Sequence, residues 1–257
     1  TLKNWREALE ILLHQWRDNP LVAGELICGS YITGNPSKHS DIDVHLLLSD
    51  DLDWRERGNK MVDGYLVEYF INSPRQIRIY FEEDYREHST MSMVQFLTGQ
   101  VLWDKTGSIG ALKREAQEWM DKPYEAQSET VMELRKYAIW DMWDSLQDCA
   151  EQGGEDLLFV YLNALQLLFN YYSEFLRLET IPNYQILAYI SDPNYIDKYL
   201  KKPFPDVEFA NLFIKAMQLK EATEMMPTFN SLTEHILQKM GGFQIDGWRV
   251  RSAAESV

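Results

Sequence analysis

A chain of 257 residues with 45% apolar and 13% aromatic side chains has the material for one large domain or two of ordinary size. Its formal charge of −15 is spread evenly, with 17 acidic against 10 basic residues up to Asp104 and 23 against 15 beyond it. Neither half carries the cationic surplus that an extended nucleic-acid track needs to neutralise phosphates, which argues against a DNA or RNA substrate and favours a small, cationic acceptor drawn towards acidic surface.

In chain order, Asn4 to Arg17 reads as an amphipathic helix with Trp5, Leu9, Leu12, Leu13 and Trp16 on one stripe, ended by Asn19-Pro20. That pattern, rather than a signal peptide, fills the first residues, and the start at Thr1 without Met reads as processing or trimming. No run approaches about eighteen uninterrupted apolar residues, so no membrane span is predicted. Cys28 and Cys149 are far apart and lack metal-ligand spacing, which fits a reducing cytoplasm. Glu25 to Cys28 is a short run ending at Gly29. Asp41 to Leu48 alternates as a half-buried strand, with Ile42, Val44, Leu46 and Leu48 on one face and Asp41, Asp43, His45 and Leu47 on the other. After a charged stretch from Asp50 to Asn59, Lys60-Met61-Val62 and Tyr65 to Ile71 flank Asp63-Gly64, a two-residue hairpin signal, with Glu68 in the middle of the second strand. Ser73-Pro74 opens a helix, Ser92 to Leu97 forms another, and Gln100 to Asp104 is a further strand before the turn Lys105-Thr106-Gly107. Ser108 to Asp121 completes this half, whose mixture of strands and helices predicts an α/β or α+β sheet domain.

Lys122-Pro123 and the polar stretch Glu125 to Glu129 mark a boundary, giving a first domain of residues 1–122 and a second of 123–257. The second is predicted to be all helical, with helices at Glu129 to Glu151, Asp156 to Arg177, Tyr184 to Ser191, Val207 to Glu221 and Thr228 to Met240. Gly153-Gly154 separates the first two, which are expected to pack as an antiparallel hairpin. Gly241 to Arg251 matches no single element, and the last six residues are expected to fray.

The chemistry lies in the first domain. Asp41 and Asp43 project together from a rigid strand, an arrangement that repels itself unless a cation or a shared proton intervenes. Oxygen-only ligation suits Mg²⁺, which takes one or two carboxylates together with water and substrate phosphate. Gly29 lets the backbone approach a ligand closely, and Ser30 offers a hydroxyl and an amide to phosphate. Taken singly, an Asp-x-Asp pair is usually a solvated edge and a Gly-Ser a simple turn. Here they stand in order, with an apolar ladder behind the carboxylates.

Gly29-Ser30, the loop to Ser40, and Asp41-Ile42-Asp43-Val44 resemble the signature of the polymerase-beta-like nucleotidyltransferase superfamily, and in particular its small antibiotic-modifying members. The resemblance covers about the first 120 residues. It implies that the Gly-Ser turn holds a nucleoside triphosphate, with ATP as the expected donor. It further implies that Asp41 and Asp43 bind Mg²⁺ and that a third carboxylate arrives from a later strand, a place Glu68 fills. Gly29, Ser30 and Ser40 become phosphate-side residues. By the same resemblance the helical domain binds the acceptor, with an aminoglycoside or lincosamide as the expected class. Related enzymes place a base or phosphate contact on the first helix of that domain, which assigns Lys136 to the nucleotide.

Within the helical half, Glu133, Lys136 and Trp140 share a helix face, although packing is the commoner meaning of such a group. His39 and His45 flank the acidic pair, but Mg²⁺ prefers oxygen and no other His stands at zinc spacing, so His45 reads as a polar neighbour of the carboxylates. Lys38 reads equally as a phosphate contact or a solvated charge. Three functions remain open: transfer of a nucleoside monophosphate to a small molecule, the same transfer to a protein side chain, and nucleotide binding without catalysis.

Overall fold

The computed structural model describes residues 4–49, 52–152 and 156–251. The Gly153-Gly154 break, the last six residues and the start of the charged stretch at Asp50 lie outside them. The chain folds as two compact units, Thr1–Pro123 with Lys198–Leu200, and Tyr124–Asp197 with Lys201–Val257.

The first unit begins with α1 (Trp5–Arg17), where Asn4 caps the helix by accepting from Glu7 N at 3.0 Å. A five-stranded sheet follows, built from β1 (Val22–Cys28), β2 (Ile42–Leu48), β3 (Glu56–Val62), β4 (Tyr65–Asn72) and β5 (Gln100–Asp104). A four-residue helix, α2 (Ser30–Thr33), sits between β1 and β2, while α3 (Pro74–Arg86), α4 (Met91–Thr98) and α5 (Ser108–Asp121) follow β4 and flank β5. The strand order is β3-β4-β2-β1-β5; β2 and β4 run parallel, while β1-β2, β1-β5 and β3-β4 are antiparallel. Asp63 and Gly64 both adopt positive φ, 48° and 87°, the left-handed pair that a tight hairpin turn requires. Ser73 caps α3 by accepting from Gln76 N, and Pro74 at the first position lacks only an amide that would have no helical partner.

Two apolar layers hold the sheet. On one face Leu9, Leu12 and Leu13 of α1 pack against Ile42, Val44, Leu46, Leu48, Val67 and Ile71. On the other, Leu26, Cys28 and Leu47 pack against Ile77 and Phe81 of α3, Met93 and Phe96 of α4, and Leu112 of α5. Covering both faces corrects the half-buried reading of β2, whose residues other than Asp43 are all buried. The alternation records which layer each side chain enters, not exposure to water. His45 lies two residues beyond Asp43 on the same face of β2, where its ring is enclosed between Phe70 at 5.0 Å and Phe96 at 5.1 Å, and burial lowers its pKa to about 4, with Gln95 as a polar neighbour.

The second unit is helical: α6 (Glu129–Glu151), α7 (Leu157–Phe175), a 3₁₀ turn (Asn183–Gln185), α8 (Ile186–Ser191), α9 (Pro193–Lys198, whose last residue groups with the first unit), α10 (Val207–Gln218) and α11 (Ala222–Lys239). Its core is aromatic, centred on Phe169, Phe209, Phe213 and Phe229. Arg135, early in α6, pairs with Glu174, late in α7, at 2.8 Å, so the two helices run antiparallel. The helix expected from Thr228 starts at Ala222 and includes Pro227, because buried Met225 anchors the extra turn and proline removes only one bond near the helix start. Among the described residues no helix is long and apolar enough to cross a membrane, and Cys28 and Cys149 are free thiols.

Candidate active site

The sequence places Gly29 where β1 ends, and its backbone takes φ 76°, ψ −166°, which side chains other than hydrogen rarely allow. A neighbour adds a second constraint. Cys28 pairs with Asp43 across β1 and β2, and a Cβ on Gly29 would collide with Asp43 Oδ2 and lie 3.1 Å from its Cγ. The Gly29 carbonyl then accepts from Ile32 N at 3.1 Å and Thr33 N at 3.0 Å, curling the chain into α2 with Ser30 at its first position. The turn ends at Gly34, whose carbonyl accepts from Lys198 Nζ at 3.3 Å within the same unit. Ser40 lies in the loop before β2, where its Oγ accepts from Ser37 N at 2.8 Å and so shapes the approach to Asp41.

Three carboxylates converge. Asp41 precedes β2 by one residue, Asp43 is its second residue, and parallel pairing sets Asp43 directly opposite Glu68 on β4. One ligand oxygen from each of Asp41, Asp43 and Glu68 lies within 4.8 Å of the others. Burial first, then the charges of Asp41 and Glu68, push the Asp43 carboxyl up from 3.8 to about 7, while Arg57 opposes the rise. The same cluster, added to burial, raises the neighbouring Cys28 thiol well above its usual range. An all-oxygen donor set in which one carboxylate resists ionisation is the chemistry a hard divalent cation relieves, so the residues present fit Mg²⁺.

The raised Asp43 carries a pH signature. A carboxyl whose folded value lies above its unfolded one contributes stability that is complete at low pH and is lost as pH rises through the folded value. Between pH 6 and pH 8, in chelator, the wild-type chain is expected to lose on the order of 1 kcal/mol that an Asp43→Asn variant keeps. Mg²⁺ should remove the difference. Denaturant melts of both proteins at the two pH values check this, and parallel slopes would contradict it.

Arg57 escaped the sequence reading. It gives Nε to Glu68 Oε1 at 2.8 Å and Nη2 to the same oxygen at 2.6 Å, and lies 5.0 Å above the Phe70 ring. The signal was present in the hairpin: a turn at Asp63-Gly64 fixes Asn59 opposite Glu68 and Arg57 opposite Phe70, provided the strand is carried back beyond Lys60. Lys198 escaped it as well, and nothing local to that residue marks it. Lys136 lies on α6 in the second unit and is held by Glu133 at 2.7 Å, with Trp140 packing near Tyr137 and Phe243. His39 and Lys38 occupy the exposed loop that precedes Ser40.

No protein-family profile and no curated protein matches the chain. Among solved structures, one described as a nucleotidyltransferase-like protein from Exiguobacterium sibiricum is similar at 11% identity over 91% of this chain and 74% of that chain, with a TM-score of 0.46.

Proposed function

We propose that this chain transfers a nucleoside monophosphate, with ATP as donor, to a hydroxyl of a small molecule, releasing pyrophosphate. The observation that supports this is the convergence of Asp41, Asp43 and Glu68 within 4.8 Å beside a turn whose glycine leaves no room for a side chain. A divalent cation held by these carboxylates would neutralise charge on the transferring phosphoryl group and lower the proton affinity of the acceptor hydroxyl. The protein's own part is positioning. Gly29 lets the backbone come close, Ser30 offers its hydroxyl and amide to phosphate oxygens, and Ser40 fixes the loop that carries Asp41. Lys198, at the far end of the same turn, adds a cation that suits a polyanion. Glu68, arriving from a separate strand, would either complete the cation site or take the acceptor's proton itself. An acidic chain favours an acceptor bearing amines, and aminoglycosides and lincosamides are the first class to test.

Incubation with Mg²⁺, ATP and a panel of such acceptors, followed by mass spectrometry, is expected to give a product heavier by one AMP. Absence of any such product, with ATP binding that ignores Mg²⁺, would contradict the reading. Glu68→Gln is expected to reduce kcat by about 10²-fold while leaving nucleotide affinity within a few fold. An unchanged rate would reduce Glu68 to a structural charge.

A further inference from the structure

We infer that Arg57 is a positioning residue that serves as the site's resident counter-cation, holding Glu68 by one oxygen and thereby weakening divalent-cation binding until a triphosphate arrives. This rests on the reading of Asp41, Asp43 and Glu68 as cation ligands. β3 is an edge strand of the sheet, and its period of two puts Arg57 and Asn59 on the face that carries Glu68 and Phe70. The guanidinium sits over Phe70 and directs both of its contacts to Oε1 of Glu68. The other face of β3 is pinned independently. Tyr69 donates its hydroxyl to Glu56 at 2.8 Å, its ring fills the space above Gly58, and Lys60 reaches Gln15 of α1 at 3.5 Å. The strand's placement therefore does not depend on Arg57.

Exposure makes the contact exchangeable. The Arg57 side chain is 69% exposed while that of Glu68 is only 13% exposed, so the guanidinium can swing away without unpacking the core. While it stays, one of three clustered carboxylates is already compensated, and an incoming divalent cation meets a positive charge beside its third ligand. A triphosphate offers the same guanidinium phosphate oxygens, for which its planar donor fork is equally suited. Moving to them would free Glu68 for the cation. Metal binding would thus be weak before the nucleotide and strong with it.

The test is calorimetric titration of Mn²⁺ alone into wild type, Arg57→Gln, Arg57→Lys and Asp43→Asn, repeated with a non-hydrolysable ATP analogue present. Without nucleotide, Arg57→Gln is expected to bind Mn²⁺ about tenfold more tightly than wild type, and Arg57→Lys to stay close to wild type because it keeps the charge. With the analogue present the gap between Arg57→Gln and wild type should close. Equal or weaker binding by Arg57→Gln without nucleotide, or Arg57→Lys behaving as Arg57→Gln, would overturn the inference about Arg57 alone. Asp43→Asn binding Mn²⁺ as well as wild type would overturn the underlying reading of the carboxylates instead.

Discussion

Asp43→Ala is expected to lower nucleotide transfer by about 10³-fold or more, because it removes one of the three carboxylates that converge on the proposed cation site. The same substitution separates a functional carboxylate from a structural one. A buried group that stabilised the fold would destabilise it on removal. Asp43 is instead held in a position where burial and two like charges oppose its ionisation, so the variant should fold with equal or greater stability than wild type at pH 8 in chelator. Loss of activity together with gained stability is the signature of a residue kept for its chemistry. Circular dichroism melts and turnover, measured on the same preparation, give both numbers. A variant that transfers normally, or one that unfolds, would contradict the assignment.

Gly29→Ala carries the second large effect, through two independent mechanisms. The backbone there has φ 76° with an extended ψ, a region that L side chains seldom enter, which costs about 1–3 kcal/mol. The added methyl group would also meet Asp43 Oδ2, so either the carboxylate turns away from Asp41 and Glu68 or the strand end moves. Displacements of this kind cost about 10²-fold in rate even when every catalytic group is present. The variant is therefore expected to lose about 10²-fold in kcat/KM and about 2 kcal/mol in stability. Alanine at position 34 makes an informative control, since Gly34 also has positive φ, 96°, but its Cβ would meet no atom within 4 Å. Strain alone predicts similar losses at both positions. The collision predicts that activity falls further at Gly29.

Local signals in the sequence carried the mixed sheet followed by helices. Asp63-Gly64 declares its hairpin because few residue pairs accept two positive φ values in succession. Ser73-Pro74 and Ser108 mark helix starts within a residue of where α3 and α5 begin. What escaped was non-local. The type alternation in β2 is the same whether its faces meet water or two helical layers, and only the packing of α1 against one face and α3, α4 and α5 against the other decides between them. α9 is six residues long and falls below any periodic signal, and Pro227 masks the first turn of α11 because proline usually opens a helix rather than sitting inside one. The meeting of Asp43 and Glu68, implied by the family resemblance, is made by parallel pairing of β2 with β4, a register that spacing along the chain does not itself fix. Arg57 could be reached by extending the hairpin backwards; Lys198, 164 residues from Gly34, could not.

Everything proposed for the site requires that Asp41, Asp43 and Glu68 together hold a divalent cation against a bound triphosphate. A crystal structure of the chain with Mg²⁺ and a non-hydrolysable ATP analogue tests this most directly. The expected result is an ion coordinated at about 2.1 Å by oxygens of Asp41 and Asp43, with the phosphates lying over Gly29 and Ser30. A triphosphate bound elsewhere, or bound here with no ion touching either aspartate, would contradict it.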